Sequence, residues 1–305
     1  MTGTDPSRTA SGPGRPDLSP VVLGRPPALA PLLLRGALRS PLRRARPDAP
    51  CPRTRLVLPS ARADAARLAA YRSICGFPED GTLPVTYPHV LGFPLAMRLM
   101  SGRDFPLPLL GLVHTSIEIT RHAALPATDA YELAVHVAGL APHRRGTEAT
   151  VVTVLRAGGT VVWESASTYL ARHRTADGSA PAAGGSGPGS AARTPLPEVD
   201  RWTLPGDLGR RYGAASGDRN PIHMYPLTAR LFGFPRAIAH GMWTAARCLA
   251  AHGTPEAASV RVEFKAPVLL PGTVVHAADG TGRFALRSAD ASRTHLVGEV
   301  HELPA

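Results

Sequence analysis

The stretch YGAASGDRNPIH, residues 212–223, carries the most structural and chemical information in the chain. It holds a carboxylate, an amide and an imidazole within six positions, at Asp218, Asn220 and His223. Pro221 fixes its own φ and disfavours helical backbone at the residue before it, so the loop is stiff where these side chains must converge. A carboxylate and an imidazole that share one water can take its proton and later deliver a proton elsewhere. We therefore predict that Asp218 and His223 form a catalytic pair.

A second informative stretch follows at residues 239–253, AHGMWTAARCLAAHG. Its alanine-rich run predicts a helix that ends at Gly253. The amides of the first turn have no acceptor inside the helix, and Gly241 has no side chain to block a ligand carbonyl. A helix N-terminus also favours developing negative charge. We expect the amide of Gly241 to stabilise an oxyanion such as an enolate.

These residues resemble the MaoC-like or (R)-specific enoyl-thioester hydratases, also called hydratase 2, of the hot dog fold. The resemblance rests on His240-Gly241, on the strand and turn FKAPVLLPG at 264–272, and on residues at the family's signature positions: Tyr212, Ser216, Gly217, Asp218, Asn220, Pro221, Ile222, His223 and Ala229. Ala215 departs from the branched residue or glycine more usual there. The match is strong over residues 198–305, and the N-terminal half resembles the degenerate first repeat of two-repeat members. The implied fold is α+β, a double hot dog in which each half is a helix wrapped by an antiparallel β-sheet.

The resemblance also implies a reaction and the residues that perform it. Asp218 and His223 would activate a water, Asn220 would help to hold it, and the amide of Gly241 would bind the thioester oxygen. The reaction would be the reversible hydration of trans-2-enoyl thioesters to (3R)-hydroxyacyl thioesters in fatty-acid metabolism, with medium to long acyl chains favoured. Neither a metal nor another cofactor is implied, and the substrate would be carried by coenzyme A or acyl carrier protein.

Three neighbours of Gly241 are candidates for substrate binding, namely His240, Met242 and Trp243. His240 is a packed or supporting residue rather than a base in this interpretation. Met242 and Trp243 line an acyl tunnel or pack the helix into its sheet. Arg219 is an exposed charge by default, with contact to a ligand phosphate as the alternative. The histidines at 89, 114, 122 and 136 have no spacing that indicates a metal site, and we expect them to be structural.

The two halves of the chain match each other, which favours an internal duplication over a coincidence among common apolar residues. With an offset of 145, residues 117–126 fall on 262–271 and Ala96-Met97 falls on Gly241-Met242. Further upstream the offset is 141, which puts Phe77 where Asp218 stands and Thr82 where His223 stands. The first repeat is therefore predicted to be catalytically silent.

Alternating apolar residues predict four strands in each half. The predicted strands are 117–120, 131–140, 148–156 and 160–171, then 260–268, 273–279, 283–288 and 294–303, and a helix in the first half is expected to end near Gly76. Composition then divides the chain into a basic Pro/Arg-rich arm at 1–50, the degenerate repeat at 51–171, a flexible linker at 172–197 and the catalytic domain at 198–305.

The 305 residues carry a formal charge of +11, and Lys265 is the only lysine. The basic arm lacks aromatic residues for base stacking and any nucleic-acid-binding motif, so we expect no nucleic-acid partner. Three widely spaced cysteines predict no disulfide framework, and no apolar run is long enough to span a membrane. These features fit a cytoplasmic protein, with a homodimer possible.

Two other functions remain open at this stage. One is a hot dog thioesterase, which would not need the Asp-x-Asn-Pro-x-His arrangement. The other is a non-catalytic protein that binds acyl thioesters, which would tolerate loss of Asp218 and His223.

Overall fold

The computed structural model describes residues 18–40, 45–46, 48–174 and 196–304. The first half contains, in chain order, β1 (Ser19–Val22), α1 (Leu29–Arg39), β2 (Thr54–Ala61), α2 (Ala65–Cys75), α3 (Tyr87–Met100), β3 (Leu112–Arg121), β4 (Tyr131–His143), β5 (Gly146–Ala157) and β6 (Thr160–Arg172). The second half contains β7 (Glu198–Leu204), α4 (Leu208–Ser216), α5 (Pro221–Met224), α6 (Pro226–Leu231), α7 (Gly241–His252), β8 (Ala258–Phe264), β9 (Gly272–Ala278), β10 (Arg283–Ser288) and β11 (Thr294–Glu302). All eight strands predicted from the sequence are present, although β8 ends earlier than expected.

The described strands form a single sheet in the order β1-β2-β4-β5-β6-β3-β8-β11-β10-β9-β7. The two halves meet at the antiparallel pair β3 and β8, where Ile117 and Val262 are Cα partners. These two residues are also the ones that the offset of 145 aligns. Pairing between equivalent residues is what a local two-fold relation between repeats produces, and it fits the predicted duplication.

A helix lies against each half of this sheet, α3 in the first and α7 in the second, which gives the α+β double hot dog expected from the sequence. α7 was predicted, but α3 was not, because Pro88, Gly92 and Pro94 interrupt its helical pattern. Gly92 allows α3 to approach the sheet closely, since a Cβ there would lie 2.8 Å from Cγ2 of Thr153 in β5. Burial of this apolar helix offsets the poor local propensity.

The helices α2 and α4 are equivalent elements that pack against each other, with the rings of Tyr71 and Tyr212 5.9 Å apart. Each ends at a glycine in the left-handed region, Gly76 at φ 83° and Gly217 at φ 85°. The offset of 141 relates both pairs, and Phe77 therefore follows its helix as Asp218 follows the other.

Two details of the sequence alignment between the halves are wrong. Ala96 lies late in α3, whereas Gly241 is the first residue of α7, because the loops after the two helices differ in length. Thr82 makes a β-bridge with Pro126, as Ile238 does with Leu269, so Thr82 corresponds to the region of Ile238. The segment that contains α5, α6 and His223 thus has no counterpart in the first repeat.

The segment assigned to the basic arm contributes β1 and α1 to the fold. β1 pairs in parallel with β2, and Leu23 is buried in the core. Residues 1–17 of the arm, and residues 175–195 of the predicted linker, lie outside the described residues. No helix in the described ranges has the length and apolar character needed to cross a membrane.

Candidate active site

The loop after α4 is held by its own side chains. Ser216 Oγ accepts from the amide of Asp218 at 3.2 Å, and Oδ1 of Asp218 accepts from the amide of Asn220 at 3.1 Å. Asn220 caps α5, because its Oδ1 accepts from the amide of Ile222 at 3.4 Å. The cap uses the oxygen of Asn220 and leaves its NH₂ group as a donor. Asp218 is consequently fixed at the point where the chain turns from α4 into α5.

His223 lies on α5 and is 8% exposed. Its Nδ1 lies 2.8 Å from the carbonyl oxygen of Ile238. Because a carbonyl can only accept, Nδ1 is the protonated nitrogen of the neutral ring and Nε2 keeps its lone pair. His223 is therefore arranged to accept a proton at Nε2.

His240, the residue before α7, is 1% exposed and supports the other two side chains. Its Nε2 donates to the backbone oxygen of Asp218 at 2.9 Å, and its ring stacks on that of His223 with centroids 3.8 Å apart. Burial, followed by the neighbouring His223, holds the pKa of His240 well below its ordinary value. This neutral ring positions the Asp218 loop against His223.

Asp218, His223 and His240 converge so closely that one ligand atom from each lies within 4.8 Å of the others. This spacing is within the reach of a metal ion. However, Nδ1 of His223 and Nε2 of His240 already donate to backbone carbonyls. The chemistry that the arrangement supports directly is proton transfer between a carboxylate, an imidazole and a bound water.

Burial moves the pKa values of the pair toward each other. Desolvation raises the pKa of Asp218 from its ordinary 3.8, against the opposing effects of His223 and the Asn220 amide. Desolvation also lowers the pKa of His223 from its ordinary 6.5, opposed by the Asp218 carboxylate. Shifts in these directions reduce the free energy needed to move a proton between the two groups.

Gly241 begins α7, and within the described part of the chain its amide has no hydrogen-bond partner. A Cβ at this position would lie 3.3 Å from the ring of Phe264. A side chain would thus crowd the space beside the helix N-terminus. The free amide and the missing side chain together leave room for an oxygen of a ligand.

A cavity of about 890 Å³ joins these groups. Asp218, Asn220, His223, Gly241 and Met242 lie in its wall, and so do His240 and Arg219. The rest of the wall comes from elements far away in sequence, among them Leu33 of α1, Phe93, Met97 and Met100 of α3, His114 of β3 and Tyr169 of β6. No local pattern identified these residues, because only the folded sheet brings them to the site.

Trp243 does not line this cavity, and its assignment to substrate binding is corrected. The side chain is 3% exposed, and its indole N–H donates to the carbonyl of Ile74 at 2.9 Å. Because successive helical residues point about 100° apart, Met242 faces the cavity while Trp243 faces α2. Trp243 therefore joins the two halves of the fold.

Known proteins are similar to this chain in sequence and in structure. A family model described as a MaoC like domain matches residues 190–296. The 3-hydroxyacyl-thioester dehydratase X of Mycobacterium tuberculosis is 38% identical over 245 residues, which are 79% of this chain and 86% of that protein. Dehydratase Y of the same organism is 35% identical over 173 residues, 53% of this chain and 59% of that protein.

Solved structures extend the comparison. The crystal structure of HtdX of M. tuberculosis superposes with a TM-score of 0.71 at 34% identity, covering 82% of this chain and 100% of that one. A MaoC-like dehydratase of Phytophthora capsici has a TM-score of 0.65 at 19% identity, covering 84% of this chain and 96% of that one, which is a likeness of fold. The chain belongs to the MaoC-like dehydratase family, and its fold is the double hot dog.

Proposed function

We propose that the chain is a hydro-lyase that reversibly hydrates trans-2-enoyl thioesters to (3R)-hydroxyacyl thioesters in fatty-acid metabolism. The observation that carries the proposal is the approach of Asp218 and His223 on one wall of a cavity that also contains the free amide of Gly241. The names of the dehydratases X and Y of M. tuberculosis support the same reaction class.

In the hydration direction, one water lies between Asp218 and Nε2 of His223. His223 takes a proton from the water as its oxygen bonds to the β-carbon, and the π electrons move to the thioester oxygen as an enolate. The amide of Gly241 donates to that oxygen, an interaction whose loss costs about 3 kcal/mol in comparable sites. The pair then returns one proton to the α-carbon, so one water is added and both side chains regain their starting states.

Asn220 and His240 would support this pair in different ways. The NH₂ group of Asn220 remains available to the water after its oxygen has capped α5. His240 keeps Asp218 in place through the backbone oxygen of that residue. The first repeat has Phe77 where the second has Asp218 and lacks a counterpart of α5, which leaves it without a pair of its own.

The substrate would be an acyl thioester of coenzyme A or acyl carrier protein. The cavity extends from Asp218 past α3 to Leu33 of α1, and most of this wall is apolar. An extended apolar wall favours medium to long acyl chains, because each buried methylene contributes about 0.8 kcal/mol.

The direct test is to mix purified protein with 2-enoyl-CoA of several chain lengths and follow the loss of the conjugated double bond. We expect hydration without an added metal or cofactor, and chiral analysis of the product should give the 3R alcohol. A free-thiol reagent in a parallel assay separates this activity from that of a thioesterase. Release of thiol without loss of the double bond, or inactivity at every chain length on both carriers, would reject the proposal.

The pH dependence of kcat/KM provides a second test. Activity needs Asp218 ionised and His223 neutral, and burial raises the first pKa from 3.8 and lowers the second from 6.5. We expect kcat/KM to be flat near neutral pH and to fall on acidification, as His223 gains a proton and Asp218 loses its charge. Rates measured from about pH 4 to pH 9 would show it. A profile that still rises well above pH 7 would mean that His223 is not the base.

A further inference from the structure

A β-bulge in β3 turns His114 toward the interior of the first repeat. Ile117 is the cross-strand partner of Ser167, and His114 is the partner of Tyr169. Residues 167 and 169 share a face of β6, and cross-strand partners point the same way. His114 therefore lies on the same side of the sheet as the buried Ile117, although three positions separate them. The register shift between His114 and Ser116 causes this, as bulges beside binding sites often do.

His114 is the centre of a stack of rings on this wall. Its ring lies nearly parallel to Tyr169, with centroids 4.6 Å apart, and to His89 of α3, at 5.9 Å. It also lies 4.9 Å from Phe264, the ring nearest to the open position beside Gly241. The stack thus begins one ring away from the amide expected to bind the thioester oxygen.

The surroundings of the stack identify the part of the substrate that would reach it. α3 packs mainly on β4 and β5, and the side chains on β3 and β6 face the cavity. The wall of the same cavity includes the apolar side chains of Leu33, Val90, Phe93, Met97 and Met100. These apolar side chains suit an acyl chain, because the charged nucleotide of coenzyme A would have to lose its hydration to lie against them. Arg145 and Arg172 also belong to the cavity wall, and both are exposed to solvent.

Beside these apolar side chains the stack supplies uncharged hydrogen-bonding groups. Nε2 of His114 is buried and, among the described residues, has no partner. Burial lowers the pKa of His114 to about 3 and that of His89 to about 4, so both rings are neutral. Burial also raises the pKa of the Tyr169 hydroxyl, and the nearby Asp218 adds to this, so the hydroxyl keeps its proton. Such groups match a neutral oxygen and offer no counter-charge to a carboxylate.

We propose that His89, His114 and Tyr169 form a specificity subsite for an uncharged oxygen, a hydroxyl or a carbonyl, on the acyl chain of the substrate. The subsite rests on the proposed hydratase function and determines which enoyl thioesters are preferred. A plain alkyl chain leaves Nε2 of His114 without a partner, whereas an oxygen substituent at the right carbon satisfies it.

The experiment compares plain 2-enoyl thioesters with matched chains that carry a hydroxyl at successive carbons beyond the double bond. For wild type we expect kcat/KM to be higher for at least one hydroxylated chain, by about tenfold, a preference worth one hydrogen bond. His114→Phe keeps the ring stack without the nitrogen atoms, and Tyr169→Phe removes only a hydroxyl. Each should reduce the preference while retaining hydration of the plain chain.

Tyr131→Phe is the matched control, because it removes a buried hydroxyl that bonds to Pro126 and lies outside the cavity wall. It should leave the preference unchanged. Wild type that hydrates plain chains with no preference at any position, or variants that retain the preference, would overturn the subsite but not the hydratase. An inactive wild type would instead reject the proposed function.

A further experiment uses thioesters of N-acetylcysteamine in place of coenzyme A. If His114→Phe slows only the coenzyme A thioesters, and slows the plain and hydroxylated chains by the same factor, the ring contacts pantetheine and the proposal fails.

Discussion

Asp218→Asn should lower kcat/KM for hydration by about a thousandfold, the usual contribution of a general acid or base. The substitution preserves shape, and its Oδ1 can still accept from the amide of Asn220, so the loop after α4 should keep its conformation. What is lost is the ability to exchange a proton with water and with His223. Steady-state rates measured over a range of concentrations of one 2-enoyl thioester would give the effect on kcat/KM.

The same variant should be more stable than wild type at neutral pH. Burial raises the pKa of Asp218 in the folded chain, so folding favours its protonated form. A raised folded pKa contributes stability that is present below the unfolded pKa and lost as the pH rises through the folded pKa. Near neutrality the carboxylate therefore destabilises the fold, and a neutral amide removes that cost.

Thermal unfolding at neutral pH and again near pH 4 would test this sign. We expect Asp218→Asn to have the higher Tm at neutral pH, with a smaller difference in acid. Asp207→Asn is the control, because Asp207 directly precedes the same helix, makes no capping hydrogen bond with its side chain and lies outside the cavity wall. It should change neither the rate nor the Tm appreciably. Near-wild-type activity of Asp218→Asn would show that this carboxylate takes no part in the reaction.

Gly209→Ala should lower activity and stability, although residue 209 is not part of the cavity wall. A Cβ at residue 209 would lie 1.9 Å from the backbone oxygen of His223, and backbone atoms cannot move aside as a flexible side chain can. α4 and α5 would have to separate, which would shift His223 relative to Asp218. We expect kcat/KM to fall by about a hundredfold, the scale of a misplacement near 1 Å. The free energy of unfolding should fall by about 1–3 kcal/mol.

Gly206→Ala provides the matched comparison three residues earlier. Its Cβ would lie 3.7 Å from Cδ of Pro271, an ordinary contact. Activity and Tm of this variant should remain close to those of wild type. If Gly209→Ala behaved in the same way, the close approach of α4 to α5 would not be what positions His223.

Local signals in the sequence predicted much of the secondary structure. β10 has the bounds expected from its alternating pattern, and α2 and α7 end at Gly76 and Gly253 as predicted. Strand bounds and helix ends of this kind depend on residues close in sequence, so they can be predicted from local spacing. α3 was missed for the opposite reason, since its two prolines and Gly92 oppose a helix locally and the sheet beneath it supplies the stabilisation.

The functional residues divide in the same way. Asp218, Asn220 and His223 belong to one turn, and His240 and Gly241 to the start of one helix, so their association could be predicted from short stretches. The supporting role of His240 could not be predicted, because its hydrogen bond to the backbone oxygen of Asp218 joins two separate segments of the chain. Trp243 was wrongly assigned to substrate binding for the same reason. The sequence does not show which face of α7 meets the cavity, because that depends on where α2 packs.

The sequence by itself determined that the chain contains two related halves and that one of them holds an acid, an imidazole and an open helix N-terminus. The tertiary structure alone decided which histidine nitrogen is free, in which direction burial shifts the two pKa values, and which residues of the first half form the far wall of the cavity. The physical reason is that residue type and spacing act over a few positions. Hydrogen-bond partners, desolvation and cavity shape depend instead on atoms that only the paired strands β3 and β8 bring together.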